Sequence, residues 1–217
     1  MNGDDAELRA AFVMGLRGRG VRDARVLSAL ERTPRGEFLP PHHAEKAYTD
    51  ESVRIEAGQM ATQPFVVALA VHAAEVGERD IVLDVGSGTG YQAAVLARLA
   101  RRVFTIERQE ALFHAAKARL GRLRVENASC IYADGAKGWK PQAPFDRILV
   151  SASAREEDLG VLIGQLAPGG VMVAPVGGVE AAQTLTRFRK GADGEIEQRE
   201  TLARVRFGPL GRGIASR

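Results

Sequence analysis

The chemistry-bearing residues of this chain sit at the ends of apolar runs. The stretch Ile81-Val82-Leu83-Asp84-Val85-Gly86-Ser87-Gly88-Thr89-Gly90-Tyr91 reads as a buried parallel strand that turns through a Gly-x-Gly-x-Gly loop into a helix. Glycine lacks a Cβ, so such a loop bends sharply and lets its backbone press against a ligand. A dinucleotide fingerprint reads G-x-G-x-x-G and seats a pyrophosphate on the following helix. Here the third glycine comes one residue early, and the bulky Tyr91 stands where the dinucleotide glycine belongs. Asp84 would repel a pyrophosphate but suits the ammonium of an amino-acid-like ligand. The combination favours S-adenosylmethionine, which carries an amino group and a sulfonium and has no phosphate.

Two further acids close two further apolar runs. Glu107 ends Arg102-Val103-Phe104-Thr105-Ile106, and in a doubly wound sheet that position lies beside the glycine loop, where a carboxylate accepts from both ribose hydroxyls. Asp134 follows Ala128-Ser129-Cys130-Ile131-Tyr132 and is placed to accept from the exocyclic amine of adenine. Each acid alone would read as a solvated loop carboxylate. Three of them after three successive strands form a pattern.

These residues need a scaffold, and the hydrophobic periodicity supplies one. Leu8, Phe12, Val13 and Leu16 predict an amphipathic helix over 6–16, and Asp23 caps a second through Val26, Leu27 and Leu30 before Pro34 ends it. Residues 38–41 read as extended, and 47–55 as short strand or loop. Pro64 opens an apolar helix to about residue 74 and pushes Gln63 toward an extended conformation, which leaves Thr62 in the loop at the helix mouth. On local sequence its hydroxyl reads equally as a helix cap. Strands over 81–85, 102–107, 128–132, 145–150 and 171–175 then alternate with helices over 90–100, 110–120 and 156–166. Strand-like pieces over 184–189 and 202–207 flank Gly191-Ala192-Asp193-Gly194 as an antiparallel hairpin. The expected architecture is α/β: a doubly wound, mainly parallel, Rossmann-like sheet of the methyltransferase type, with an antiparallel edge hairpin and an N-terminal helical subdomain. Residues 1–78 form the helical, substrate-side segment and 79–217 the cofactor-binding core, in one compact domain.

Composition sets the bounds. The chain has 217 residues, 45% of them hydrophobic, and no apolar run approaching the roughly 20 residues of a membrane helix. Its start lacks the apolar core of a signal peptide. The single cysteine, Cys130, cannot form an internal disulfide and falls in an apolar strand, so a buried, inert thiol in a reducing cytoplasm is expected. His42, His43, His72 and His114 have no partners at metal-ligand spacing, and no metal is expected. A net charge of +3 comes from scattered arginines, not a basic patch, so neither a nucleic-acid nor a membrane partner is expected. The expected state is a monomer.

With these residues in view, the sequence resembles the protein-L-isoaspartate (D-aspartate) O-methyltransferases over nearly its whole length. The resemblance rests on Val21-Arg22-Asp23, Thr33-Pro34-Arg35 with Phe38 and Pro40, and Ala47-Tyr48-Thr49-Asp50. It continues through Gly58-Gln59 with Gln63-Pro64, the run from Gly88 to Ala97, Thr105-Ile106-Glu107-Arg108, and Asp134-Gly135 with Gly138-Trp139. Ala143-Pro144-Phe145-Asp146, Gln165-Leu166 with Gly169-Gly170, and a terminal Val205-Arg206-Phe207 with Pro209-Leu210 complete it. It implies methyl transfer from S-adenosylmethionine, with S-adenosylhomocysteine as product, to the free carboxylate of L-isoaspartyl residues in damaged proteins. It also implies a catalytic hydroxyl at Thr62, aligned with the family's active-site serine. The implied cofactor shell is Asp84, Gly86, Ser87, Gly88, Gly90, Tyr91, Glu107, Arg108, Asp134 and Gly135. Departures fall on the substrate side: Gln59-Met60-Ala61-Thr62 stands where the family usually has Gln-Thr-Ile-Ser, and Ser151-Ala152-Ser153 where it has Thr-Ala-Ala or Gly-Ala-Ala. The alternatives are a methyltransferase of this fold acting on a small-molecule carboxylate or RNA, or a cofactor-binding homologue without turnover.

Overall fold

Strand β3 (Ile81–Val85) is the centre of the molecule. Val82, Leu83 and Val85 are at most 1% exposed, a burial on both faces that explains an apolar run broken only by Asp84. The computed structural model describes residues 3–215. β4 (Arg102–Glu107) and β5 (Ala128–Tyr132) add in parallel on one side of β3. β6 (Phe145–Val150) and β7 (Leu166–Val176) add in parallel on the other. The antiparallel β8 (Gln183–Lys190) and β9 (Ile196–Val205) extend the sheet, giving the order β5-β4-β3-β6-β7-β8-β9. The winding reverses between β3 and β6, which opens a crevice at their carboxyl ends. Ser151, just beyond β6, donates its backbone N–H to the Val85 carbonyl at 2.8 Å and so stands against the glycine loop.

Helices cover both faces, and strand residues alternate between two cores. Val82, Leu149, Val171 and Val173 face one core with α2 (Ala24–Glu31), α3 (Pro64–Ala73) and α4 (Tyr91–Ala97). Leu83, Ile148, Val150 and Met172 face the other, closed by Leu159 and by Leu162 of the short helix α6 (Gly160–Gly164). The first core also takes Leu16 of α1 (Gly3–Gly18), so the N-terminal helices share their hydrophobic contacts with the sheet.

A small third core decides where Thr62 goes. The two-stranded pair β1 (Val53–Arg54) and β2 (Met60–Ala61) buries Val53, Ile55 and Ala61 against Leu39, Ala47 and Leu112, the last on α5 (Glu110–Arg122). Arg119 of α5 adds a 2.7 Å bond to Glu56 in the connecting turn. Thr62 therefore follows a fixed strand and precedes a fixed helix.

The structure differs from the sequence expectations at four places. Of the stretch expected to be extended over 38–41, Leu39 and Pro40 are extended, but its ends belong to 3-10 turns, Phe38 to one over 35–38 and Pro41 to one over 41–46. The helix expected over 156–166 is a 3-10 turn over 156–159 followed by five residues of α6, bounded by Gly160 and Gly164, whose backbone freedom opposes a longer helix. β7 begins at Leu166 and runs through the Pro168-Gly169-Gly170 segment that reads as a turn. β9 begins at Ile196 and not at 202, because Gly194, at φ +91°, closes the turn tightly enough for pairing to start at once. Its first half is exposed on both faces and so lacks the alternation that marks a strand.

Cys130 is half-buried and unpaired, and burial pushes its thiol up to about 11. No helix among the described residues is long and apolar enough to cross a membrane. Truncating the central strand tests this account: Leu83→Ala should lower unfolding stability by about 2–5 kcal/mol in urea titration. A loss below about 1 kcal/mol would show that β3 is not the packed centre described.

Candidate active site

One continuous cavity runs along the carboxyl ends of the strands. The glycine loop, Ile106, Glu107, Gly135 and Ser151 line one end, and Arg35, Met60, Ala61 and Thr62 line the other. A strap formed by Pro209, Leu210 and Gly211 closes it from outside.

The loop owes its shape to three left-handed glycines, Gly86, Gly88 and Gly90, at φ +93°, +52° and +89°. Its backbone is tied to the next strand, since Gly86 and Ser87 both donate to the Ile106 carbonyl at 2.9 and 3.0 Å. Ser87 Oγ meets Thr105 Oγ1 at 2.6 Å. Glu107 completes the link. Its Oε2 accepts from the Gly88 N–H at 3.0 Å, and its Oε1 accepts from the Arg108 and Gln109 N–H groups at 2.9 Å each. A carboxylate held by three backbone donors keeps lone pairs available toward the cavity and can accept from a pair of neighbouring hydroxyls. Gly135 presses on the far wall; a Cβ there would meet Val85 at 2.7 Å.

The other two acids face elsewhere. Asp84 is fully buried and does not line the cavity; Thr105 Oγ1 and Gln92 Nε2 each donate to it at 2.7 Å. Gln92 also donates to Ser151 Oγ at 3.1 Å, and both of these residues do line the cavity, so Asp84 acts on that space through them. Burial, with the Glu107 charge adding to it, pushes the Asp84 carboxyl up to about 6 against the two hydrogen bonds. Asp134 is likewise engaged: it caps the turn at Ala136 at 3.0 Å and accepts from the Gly213 N–H of the C-terminal segment at 2.8 Å. Both carboxylates are thus held by protein donors, and neither is among the residues lining this cavity.

Tyr91 lines the cavity with its ring packed edge-on against Phe38, and its hydroxyl is buried without a partner. Gly90 lies behind the loop against Ala116 of α5, a contact that only a missing side chain allows comfortably. Arg108 lines the cavity while its guanidinium holds the strap through the Gly213 and Arg212 carbonyls at 2.9 and 3.3 Å. Gly211 packs on that guanidinium, and a Cβ there would approach it to 2.9 Å.

At the opposite end, Thr62 is partly exposed to the cavity. The α3 N-cap is Gln63 with no side-chain capping bond, and the Thr62 hydroxyl has no partner among the described residues. The capping role left open by the sequence is thus not the one it plays. Arg35 and the strap residues were missed by sequence reasoning. The signals were the Thr33-Pro34-Arg35 segment ahead of Phe38 and the Pro209-Leu210 pair beyond the last strand.

The arrangement fits an adenosyl cofactor that carries an amino acid. Glu107 offers an acceptor for vicinal hydroxyls, the glycine loop admits close approach, and Gln92 and Ser151 offer polar atoms near the buried Asp84. No cluster of His, Cys, Asp or Glu among the described residues is arranged to hold a metal ion.

Comparison with known proteins agrees with this geometry. The sequence profile of the family described as protein-L-isoaspartate(D-aspartate) O-methyltransferase matches residues 7–215. The chain is 47% identical over 211 residues to a protein-L-isoaspartate O-methyltransferase of Paracoccus denitrificans, covering 97% of this chain and 96% of that one. It is 48% identical over 206 residues to that of Parvibaculum lavamentivorans, covering 94% and 91%. Among solved structures, a protein-L-isoaspartate O-methyltransferase superposes with a TM-score of 0.82 at 26% identity, over 95% of this chain and 67% of that one. A Plasmodium falciparum structure of the same type, in complex with S-adenosyl-L-homocysteine, gives 0.79 at 25% identity over 93% and 97%.

The raised Asp84 carboxyl has a measurable consequence. The folded, ligand-free protein holds this proton up to about pH 6, against an ordinary value of 3.8, so ionising it costs stability as pH rises between those values. The urea midpoint should fall more steeply across that window for the wild type than for Asp84→Asn. Equal slopes would show that the carboxyl is not perturbed.

Proposed function

The chain belongs to the protein-L-isoaspartate(D-aspartate) O-methyltransferase family, and from that premise we infer that it methylates the free carboxylate of L-isoaspartyl residues in damaged proteins. The methyl ester formed closes spontaneously to a succinimide, which reopens in part to normal aspartate. The observation that carries this reading is the single cavity that joins Glu107 to Thr62. When bound, S-adenosylmethionine supplies an electrophilic methyl group on a sulfonium.

The protein's own task is modest. A carboxylate acceptor is already ionised at neutral pH, so no strong general base is needed. What remains is to orient the acceptor and exclude water. Glu107 takes the ribose hydroxyls, with Gly86, Ser87, Gly88 and Gly135 shaping the bed around the nucleoside. Tyr91 walls it, and Arg108 keeps the strap closed over it. Gln92 and Ser151 meet the amino-acid end, backed by Asp84, while Asp134 and Gly90 act one step removed by fixing the strap and helix α4. Thr62 donates its free hydroxyl to one acceptor oxygen and leaves the other to attack. The apolar wall of Ile55, Ala61 and Met60 keeps water from that oxygen. The cytoplasm is the compartment we assign, supported by the unpaired Cys130.

Kinetics of Thr62 variants test the assignment on a short isoaspartyl peptide. Thr62→Val keeps the shape and removes the donor, and it should lower kcat/KM by about tenfold or more, the scale of a hydrogen bond to a charged group. Thr62→Ser should retain most activity, and both should bind S-adenosylhomocysteine as the wild type does. Full activity in Thr62→Val would remove the hydroxyl from the mechanism.

A further inference from the structure

Arg35 is a buried cation to which no carboxylate among the described residues is bonded. It is 1% exposed, yet its side chain forms part of the wall at the Thr62 end of the cavity. Its guanidinium donates only to backbone carbonyls, those of Lys46 at 3.2 Å, Ala47 at 2.9 Å and Thr62 at 3.1 Å. No Asp or Glu among the described residues lies within ion-pair distance of it. Asp50, whose charge also acts on it, is engaged by Arg19 and by the Phe65 N–H. The face of Tyr91 lies 5.8 Å away. Burial lowers the Arg35 pKa, but a guanidinium stays protonated in proteins.

An unpaired buried charge is costly, and natural proteins pair it or use it. Three carbonyl dipoles offset part of the cost and hold the group rigid. They occupy three of its five N–H donors. Among the lining residues that precede strand β3, namely Arg35, Ile55, Gln59, Met60, Ala61, Thr62 and Val67, it is the one charged side chain. The cavity thus carries charge from two sources, Arg35 beside Thr62 and the adjacent Glu107 and Arg108 at the end of β4, where the Arg108 guanidinium is engaged by the Gly213 and Arg212 carbonyls.

We propose that Arg35 selects the acceptor by charge: its field draws an ionised carboxylate to Thr62 and disfavours neutral acceptors of the same shape. This rests on the isoaspartyl reading above. With three of its five N–H donors bound to carbonyls, Arg35 acts on the acceptor chiefly through its charge. Methyl transfer neutralises the acceptor, so the field favours the bound reactant over the transition state. Loss of the charge should accordingly raise KM more than it lowers kcat. Arg35 is a positioning residue, and through the Thr62 carbonyl it also fixes the loop that carries the hydroxyl.

The test is equilibrium binding of two peptides to the protein loaded with S-adenosylhomocysteine. One is an isoaspartyl peptide, and the other is the same peptide with its free carboxylate replaced by a carboxamide. Wild type should prefer the carboxylate by about tenfold or more, the scale of a charge pair a few ångströms apart at low effective dielectric. Arg35→Lys, which keeps the charge, should retain most of that preference, and Arg35→Gln should lose it while still binding S-adenosylhomocysteine. An undiminished preference in Arg35→Gln would overturn the proposal, as would equal losses in both variants, since a purely structural arginine fails either way. If Arg35→Gln does not fold, the wild type decides. A buried charge is poorly screened, so the preference should survive about 0.5 M salt, where the screening length is roughly 4 Å. Collapse of the preference there would assign it to surface charges and overturn the proposal. A wild type that methylates the isoaspartyl peptide but binds both peptides equally refutes Arg35 selection alone. A wild type that does not methylate it refutes the functional reading itself.

Discussion

The site depends on one carboxylate that folding has already surrounded. Glu107 accepts from the N–H groups of Gly88, Arg108 and Gln109, and so joins the glycine loop, the end of β4 and the start of the path to α5. Backbone donors place this carboxylate without any other side chain having to be ordered to build it. Its neighbours follow from it. The loop that Gly88 belongs to is pinned to Ile106, Arg108 reaches outward to clamp the C-terminal strap, and Gln109 opens α5. Removing the carboxylate would disturb the ligand bed, the loop and the covering strap together.

The acceptor end is built on different terms. There the wall comes from the N-terminal segment, which is anchored by the small core around Val53, Ile55, Ala61 and Leu112 and by the Glu56–Arg119 bond. Helix α5 serves both ends, since it starts beside Glu107 and carries Leu112 and Arg119. A rigid cofactor bed and an acceptor wall supplied by separate stretches of chain can vary independently. That separation matches the sequence, in which the glycine loop follows the family's pattern while Met60, Ala61 and Thr62 depart from it. Met60, 55% exposed at the mouth, can be exchanged at little cost to packing.

The sheet was legible from the chain because buried strands give mainly apolar runs, as in Ile81–Val85, broken only by Asp84, and in the Ile148–Val150 end of β6. The glycine loop and Glu107 were legible because backbone strain and position at a strand end restrict residue type. What escaped was set by tertiary contact. After Ile196, β9 begins with five exposed polar residues, Glu197 to Thr201, and nothing in their pattern announces a strand. The donors that hold Asp84 and Asp134, from Gln92, Thr105, Ala136 and Gly213, were not legible either, because sequence spacing does not record which donor is near. Arg35 looked like one surface arginine among many, and its burial depends on carbonyls from residues 46, 47 and 62 that only the fold brings together.

The central claim is that this cavity presents an isoaspartyl carboxylate to S-adenosylmethionine. The most direct measurement is transfer of labelled methyl to a short L-isoaspartyl peptide, run beside the matching L-aspartyl peptide. The account predicts base-labile label on the isoaspartyl peptide alone. Label on both peptides equally, or on neither while S-adenosylhomocysteine still binds, would contradict it.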